Sequence, residues 1–375
     1  MIVNSPIPSL GESIEYSNQI LISKIYDFSN RDYWLVEVAS LYKEHLLQVI
    51  PEHIQRDIQS GKLILAISNT FEGFTSIVDP IYLVAIQLNL PEDNIVLFTG
   101  NRNILSTIKK VSSLHNKKEI KCVWVRDAEF TIRVQSNLLR IPNRKYPKTY
   151  NKKFINFNRR WRPHRPIFVG LLYIKNLIDS GYISLTEVEG FSWNNLWENI
   201  VALTTGSDIR LLLEKYKKEI TSLSNLYIDK TSLEKPCARI EPNTDMYYND
   251  TYFSIVSETF FYYSNELEDG MVLTEKTFKP MLYQHPFILI GLPNSLKLLK
   301  ELGYKTFSPF INEDYDNELD NNKRMLMIIS EVERLCNLDD VELAKFIEGC
   351  ISICNYNRTH LQYIVRNKDL CKELN

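Results

Sequence analysis

Glycines are far apart in this chain, and their spacing restricts the nucleotide-binding folds that are open to it. There are 12 glycines in 375 residues, and the two closest, Gly181 and Gly190, are nine positions apart. The loops GxGxxG and GxxxxGK and the nucleophile turn GxSxG each need glycines within about five positions of one another. The spacing therefore excludes dinucleotide oxidoreductases of the usual type, P-loop NTPases and α/β-hydrolases.

Composition is that of a globular protein with free thiols. Hydrophobic residues make up 44% and charged residues 24%, and the formal net charge is −2. The net charge therefore creates no overall electrostatic field that would favour binding to nucleic acid or to a membrane. The six cysteines form no CxxC pair. We see no signal peptide at the N-terminus and no apolar run of about 18 residues. We therefore expect a cytoplasmic protein without a transmembrane segment.

Short apolar runs alternate with helical spacing along both halves of the chain. Strands are predicted at 62–68, 94–99, 121–125, 154–158, 251–258 and 286–292. Helices are predicted at 81–90, 167–178, 194–203, 208–223, 274–283 and 294–302. This alternation predicts an α/β fold of two Rossmann-like lobes with a helical C-terminal tail. We expect an N-terminal lobe at 1–142, a polar basic linker at 143–153, a second lobe at 154–322 and C-terminal helices at 323–375.

The strongest candidate site is a basic segment between a predicted strand and a predicted helix. From Asn143 to Arg165 there are nine Lys and Arg residues and no acid. Cations at the N-terminus of a helix oppose the helix dipole, and a bound anion such as a diphosphate would remove that conflict. The predicted anion-binding residues are Asn158, Arg159, Arg160, Arg162, His164 and Arg165. A solvated basic turn is one alternative, and nucleic-acid binding with Trp161 as a stacking residue is another.

A second candidate lies at the end of the predicted strand 251–258. Glu258 ends the strand, and Thr274, Glu275 and Lys276 begin the next predicted helix. A carboxylate at this position can accept hydrogen bonds from sugar or ribose hydroxyls, and the lysine can reach a phosphate oxygen. The alternative is structural, with Thr274 as the N-cap and Glu275 as an acid that complements the dipole.

These motifs carry a family resemblance. The stretch from about Tyr252 to Phe310, with FSIVSE, LTEKTFKP and NSLKLLKELG, resembles the donor half of GT-B glycosyltransferases and is most similar to the α1,3-fucosyltransferase family. The segment NRRWRPHR followed by LLYIKNLIDSGYISL is also similar to viral and bacterial proteins described as glycosyltransferases. The resemblance implies a GT-B-like fold in which Glu258 and Glu275 contact the sugar or ribose of a GDP- or UDP-linked donor and Lys276 contacts its diphosphate. Thr259 and Phe260 stand where the fucosyltransferases usually have Asn-Ser.

The first half would then supply the acceptor side and the general base. Glu72 and Asp127 each follow a predicted strand, so they are candidates for deprotonating an acceptor hydroxyl; a solvated loop acid is the alternative for each. The sequence Asp314-Tyr315-Asp316 matches a metal-binding DxD, but its acidic surroundings predict a solvated loop. His285 is interpreted as either a cation at a helix C-terminus or a core histidine, and no metal site is predicted.

The sequence thus predicts a glycosyltransferase that moves a sugar from a nucleotide diphosphate sugar to a hydroxyl acceptor, by inversion and without a metal ion. The nucleotide sugar is a co-substrate, and no other cofactor is expected. The acceptor is a glycan or a modified nucleic acid. The alternatives are a nucleic-acid-binding protein that uses the 143–165 basic stripe, and a nucleotide-sugar hydrolase or phosphotransferase that uses the same diphosphate site.

Overall fold

The predicted alternation of strands and helices is found in a computed structural model of the chain. The structure describes residues 2–4, 31–37, 47, 50–70, 75–126, 128–129, 141–146, 150–158, 161–185, 192–223, 226, 245–263, 271–367 and 371–375. The contacts divide the chain into two units: 1–134 with 264–272 and 364–375, and 135–263 with 273–363. Each unit contains a sheet of parallel strands with helices between them, which confirms the predicted fold class.

Five strands of the first unit's sheet follow one another in chain order. These are β1 (Ile2–Asn4), β2 (Asp32–Glu37), β3 (Leu63–Asn69), β4 (Ile95–Thr99) and β5 (Lys121–Val125), all parallel. The connecting helices are α1 (Glu52–Gln59), α2 (Val78–Gln87) and α3 (Leu105–Leu114). Because each crossover leads to the next strand on the same side, right-handed connections place these helices on one face. Their buried residues form one core with every second residue of β3, including Leu65 and Ile67.

The sheet of the second unit has a different strand order. Its strands are β6 (Lys152–Asn158), β7 (Gly181–Leu185), β8 (Thr251–Ser257) and β9 (Phe287–Ile290), in the order β7-β6-β8-β9 and all parallel. Among the described residues, the helices up to β9 are α4 (His164–Ile174), α5 (Trp193–Ala202), α6 (Asp208–Lys215), α7 (Lys217–Thr221), α8 (Asp245–Asn249) and α9 (Glu275–Leu282). After β9 comes α10 (Ser295–Glu301).

This order creates a switch point between β6 and β8. The chain leaves β6 through α4 toward β7, and it leaves β8 through α9 toward β9, on the opposite side of the sheet. Right-handed crossovers therefore place α4 and α9 on opposite faces. A crevice opens between two such helices at the carboxyl ends of the central strands, and this is where open α/β sheets bind ligands.

The C-terminal part of the chain is helical, as predicted, until shortly before its last residues. It contains α11 (Asn321–Cys336) and α12 (Asp340–Asn367), followed by the strand β10 (Cys371–Glu373). The strand was not predicted; it pairs antiparallel with β5. The side chain of Asn375 accepts a hydrogen bond from the Cys122 N–H at 2.8 Å and donates one to the Ile120 carbonyl at 3.0 Å. No helix of the described ranges combines the length and apolar character needed to cross a membrane.

Candidate functional site

The carboxylate of Glu258 lies directly after β8 and is held entirely by the chain itself. The side chain is 2% exposed. Its Oε1 accepts hydrogen bonds from the Thr274 N–H at 2.9 Å and from the Thr277 hydroxyl. Its Oε2 accepts from the Thr259 N–H at 3.0 Å and from the Thr274 hydroxyl at 2.6 Å. The predicted contact of Glu258 with a sugar or ribose stays a prediction; its described contacts fix the start of α9 against the end of β8.

The turn that Glu258 holds presents an acid and a base at the N-terminus of α9. Lys276 Nζ lies 3.3 Å from Glu275 Oε1 and donates hydrogen bonds to the hydroxyls of Thr274 (3.0 Å) and Thr259 (3.3 Å). Burial would raise the pKa of Glu275, but the charges of Lys276 and Lys279 outweigh it and hold the pKa below its usual value. An ionised carboxylate and an ammonium group thus stand side by side, both partly exposed.

The basic residues at the start of α4 have partners in β8. Arg165 is buried, and its Nη2 donates to the carbonyls of Ser257 (3.1 Å) and Glu258 (3.2 Å). His164 is also buried, and its Nε2 donates to the Glu258 carbonyl at 3.0 Å. Backbone carbonyls therefore offset part of the conflict between the Arg165 charge and the helix dipole. Arg162 is half-buried, and its guanidinium has no hydrogen bond or ion pair among the described residues.

Two buried histidines should make the fold sensitive to mild acid. Burial lowers the pKa of His164 and of His285 well below the usual 6.5, and nearby arginines lower both further. His285 is a core histidine, the second of its two interpretations: its Nε2 donates to the Thr251 carbonyl at 2.9 Å, and its Nδ1 lies 2.7 Å from the Ser254 hydroxyl. A histidine whose pKa is lower in the folded state stabilises the fold above pH 6.5, and that contribution is lost as the pH falls.

Between pH 6.5 and 5.5 we expect the free energy of unfolding to fall by up to about 1 kcal/mol for each of these histidines. Urea unfolding at pH 7.5, 6.5 and 5.5 measures this slope. His164→Gln and His285→Gln should each remove part of it, whereas His53→Gln, at an exposed position of α1, should leave it unchanged. An unchanged slope in both buried variants would contradict the prediction.

The described part of the 143–165 basic stripe is divided between the interior of its unit and the solvent, where Lys145 is exposed. Arg144 is buried and donates from Nη2 to the Thr251 carbonyl at 2.6 Å. Trp161, the predicted stacking residue, is 7% exposed and packs edge-on against Trp193, with ring centroids 5.4 Å apart. Rings that stack nucleic-acid bases must be open to solvent. The structure therefore does not favour the nucleic-acid-binding alternative.

The end of β6 places Asn158 next to this group. Asn158 is 1% exposed, and its N–H donates to the Ser184 hydroxyl of β7 at 3.0 Å. The structure thus brings Asn158, Arg162, His164, Arg165, Glu258, Thr274, Glu275 and Lys276 to the carboxyl edge of one sheet. The other predicted site residues, Arg159, Arg160, Glu72 and Asp127, lie outside the described residues.

The acidic run around Asp314 is partly exposed, as its composition predicts, but one of its acids is buried. Asp316 is buried, and its two carboxylate oxygens accept hydrogen bonds from the N–H groups of Leu296 (2.9 Å) and Lys297 (3.0 Å). Asp316 therefore serves the N-terminus of α10 as a capping acid, a position that the helix dipole favours. This use of one DxD carboxylate was missed because the acid and the helix it caps are about 20 residues apart.

The sequence analysis also missed Asn156, Thr277 and Arg324. A signal existed for Asn156, because the strand FINFN places two amides two positions apart and so on one face. Thr277, one turn into α9, closes the hydrogen bonds around Glu258. Arg324 of α11 donates to the carbonyl of Phe261, which follows β8. No local sequence pattern predicts that contact.

Comparisons with known proteins show similarity at the level of structure. No family model matches the chain, and neither does any curated protein. One similar solved structure is a mutant of S. aureus TarM in complex with Fondaparinux, alpha-GlcNAc-glycerol and UDP, at 8% identity and a TM-score of 0.37. The match covers 93% of this chain and 58% of the TarM chain, so this chain spans less than two thirds of that protein's length.

Two further solved structures are similar over most of this chain. One is the trehalose-6-phosphate synthase OtsA, with 10% identity, a TM-score of 0.40 and coverage of 95% of this chain and 76% of that one. The other is the catalytic domain of Starch Synthase IV from Arabidopsis thaliana bound to ADP and acarbose. The starch synthase has 10% identity, a TM-score of 0.38 and coverage of 94% and 76%. The resemblance to the α1,3-fucosyltransferase family stays a prediction from the residues.

Proposed function

We propose that this chain is a glycosyltransferase that binds a nucleoside diphosphate sugar in the crevice at the carboxyl ends of β6 and β8. The observation that carries the proposal is the buried Glu258, which holds Glu275 and Lys276 at the N-terminus of α9, beside that crevice. An ionised acid and a cation fixed in this way at a switch point suit a ligand with both hydroxyl groups and phosphates.

The diphosphate is the part of the donor that the cations would hold. Lys276 and the α9 N-terminus can accept one phosphate, and Arg162, with its half-buried guanidinium, can accept another. The predicted contacts of Arg159 and Arg160 belong to the same set. As the bond to the sugar breaks, negative charge grows on the leaving diphosphate, and fixed cations stabilise it without reorganisation. Transfer that needs no metal ion is part of the proposal.

The remaining predicted residues receive different roles. Glu275, kept ionised by Lys276 and Lys279, would accept hydrogen bonds from hydroxyls of the sugar, a hexose or fucose, or of the ribose. Glu258, Thr274, His164 and Arg165 would act as positioning residues, because their hydrogen bonds join the starts of α4 and α9 to the end of β8. Glu72 or Asp127 of the first unit would deprotonate the acceptor hydroxyl, as inversion requires.

Removing the ammonium of Lys276 tests the donor site. We expect Lys276→Met to raise the Kd for a nucleoside diphosphate about 10- to 100-fold, the range for a lost charge-assisted hydrogen bond. Arg162→Gln should have a similar effect. The measurement is titration calorimetry with UDP, GDP, ADP and CDP in EDTA, supported by thermal unfolding. A ligand at 100 times its Kd adds about 2.7 kcal/mol to the stability of the wild type.

Lys345→Met is the matched control, since Lys345 lies exposed on α12 in the same unit. If no nucleoside diphosphate binds the wild type, the proposed function is wrong. If one binds and Lys276→Met behaves like Lys345→Met, the donor site lies elsewhere. A further assay separates a transferase from a hydrolase. A transferase releases the diphosphate from a nucleotide sugar only when a hydroxyl acceptor is present, whereas a hydrolase releases it without one.

A further inference from the structure

Two buried amides form a chain of hydrogen bonds between β6 and β8. Asn156 Nδ2 donates to the Ile255 carbonyl at 2.8 Å and to the Ser257 hydroxyl at 3.2 Å. Asn158 Nδ2 donates to Asn156 Oδ1 at 2.5 Å. Both asparagines are at most 1% exposed. They lie on the same face of β6, because side chains two positions apart in a strand point the same way.

The orientation of both amides is determined by the hydrogen bond from Asn156 to the Ile255 carbonyl. The Ile255 carbonyl can only accept, so the nitrogen of Asn156 must face it and Asn156 Oδ1 must face Asn158. Asn158 then turns its own nitrogen to Asn156, and its oxygen is left over. Asn158 Oδ1 is buried and has no hydrogen-bond partner among the described residues. A buried acceptor without a donor is costly, and it calls for an explanation.

The position of this oxygen points to a ligand. Asn158 is the last residue of β6, and its backbone is held to β7 through Ser184. Asn158 therefore lies at the switch point, beside β8, which leads to Glu258 and the α9 N-terminus. A phosphate group at neutral pH offers oxygen acceptors and cannot satisfy another acceptor, whereas a hydroxyl group can.

We infer that Asn158 Oδ1 accepts a hydrogen bond from a hydroxyl of the bound nucleotide sugar and is a specificity-determining contact of the donor site. This inference rests on the proposed function. The hydroxyl can belong to the ribose or to the transferred sugar. In either case the site selects a ligand that carries the hydroxyl, because an analogue without it leaves a buried acceptor unpaired.

The test combines removal of the ligand hydroxyl with removal of the side chain. The probes are UDP and GDP, their 2′-deoxy and 3′-deoxy forms, UDP-glucose and GDP-fucose, each titrated into wild type, Asn158→Ala and Asn357→Ala. Asn357 is the matched control: it is a 1% exposed amide on α12 whose oxygen and nitrogen both pair with the backbone of Lys305. Asn158→Leu, which keeps most of the side-chain volume, replaces Asn158→Ala if the latter does not fold.

We expect the wild type and Asn357→Ala to bind one ligand lacking the relevant hydroxyl about 5- to 10-fold more weakly than its parent. The Asn158 variant should show no such difference. Loss of the 2′- or 3′-hydroxyl preference identifies the ribose, and loss of the preference for a nucleotide sugar over its diphosphate identifies the sugar.

If every hydroxyl matters equally in the wild type and the Asn158 variant, the inference is overturned while the proposed function stands. If neither a diphosphate nor a nucleotide sugar binds the wild type, both fail.

Discussion

Glu258→Ala should lower the free energy of unfolding by about 3–5 kcal/mol, the range found when one partner of a buried charged network is removed. The substitution leaves two backbone N–H groups, of Thr259 and Thr274, without their acceptor. The hydroxyls of Thr274 and Thr277 lose theirs as well. Each buried donor left unpaired costs about 1–3 kcal/mol before the site relaxes. Urea unfolding at pH 7.5 measures the loss.

Two more variants separate the role of the charge from that of the shape. Glu258→Gln keeps the shape but places an NH₂ group against a donor, so we expect about half the loss of the alanine variant. Glu331→Gln is the control: Glu331 is a buried acid of α11 that pairs with Arg334 and accepts from the Asn312 N–H.

Nucleotide affinity then distinguishes a positioning role from direct contact. Both Glu258 variants should bind nucleoside diphosphates more weakly, because the turn that carries Lys276 is released, whereas Glu331→Gln should lose stability alone. If Glu258→Ala loses nucleotide binding at unchanged stability, Glu258 contacts the ligand directly and the positioning role is wrong.

Arg324→Met should have an effect of similar size, about 3–4 kcal/mol, for a related reason. The guanidinium is 1% exposed and donates to the carbonyls of Phe261 and Glu318 and to the side chain of Asn321. It also lies 4.4 Å from the centre of the Phe261 ring. Burial lowers the pKa of Arg324 to about 10, so the group is still charged at neutral pH while it holds these acceptors.

Arg324→Lys keeps the charge but not the planar fork that reaches several acceptors at once. We expect it to recover less than half of the loss in urea unfolding. Arg366→Met, at an exposed position of α12, should change stability by less than about 0.5 kcal/mol. A similar small change in Arg324→Met would show that the buried carbonyls find other donors, and that would contradict the prediction.

Much of the fold follows from local patterns, and the exceptions have a common cause. The runs KLILAIS and NIVLFT are apolar and bounded by turn residues, and they form β3 and β4. The strand β10 has the sequence CKE, which carries no strand pattern. It exists because β5 offers an unpaired edge, and a contact between segments so distant in the chain leaves no trace in either segment.

The candidate site shows the same limit in its side chains. Glu258 and the TEK sequence could be predicted to lie together, because a parallel strand and the helix after it meet at one edge of the sheet. Whether the carboxylate faces a ligand or the protein depended on Thr277, whose hydroxyl supplies one of its four donors. The two carbonyl acceptors of Arg165 lie more than 90 residues away in the sequence, so its local pattern could not predict them.

The pairing of Cys371 with Val125 has a consequence for synthesis on the ribosome. The two residues are about 250 positions apart, and a ribosome adds about 5–20 residues per second. The free edge of β5 therefore waits on the order of 10–50 s for its partner strand. During that time the N-terminal unit presents an unpaired strand edge to other nascent chains, so the interval in which this protein is most prone to misassociation is set by translation speed.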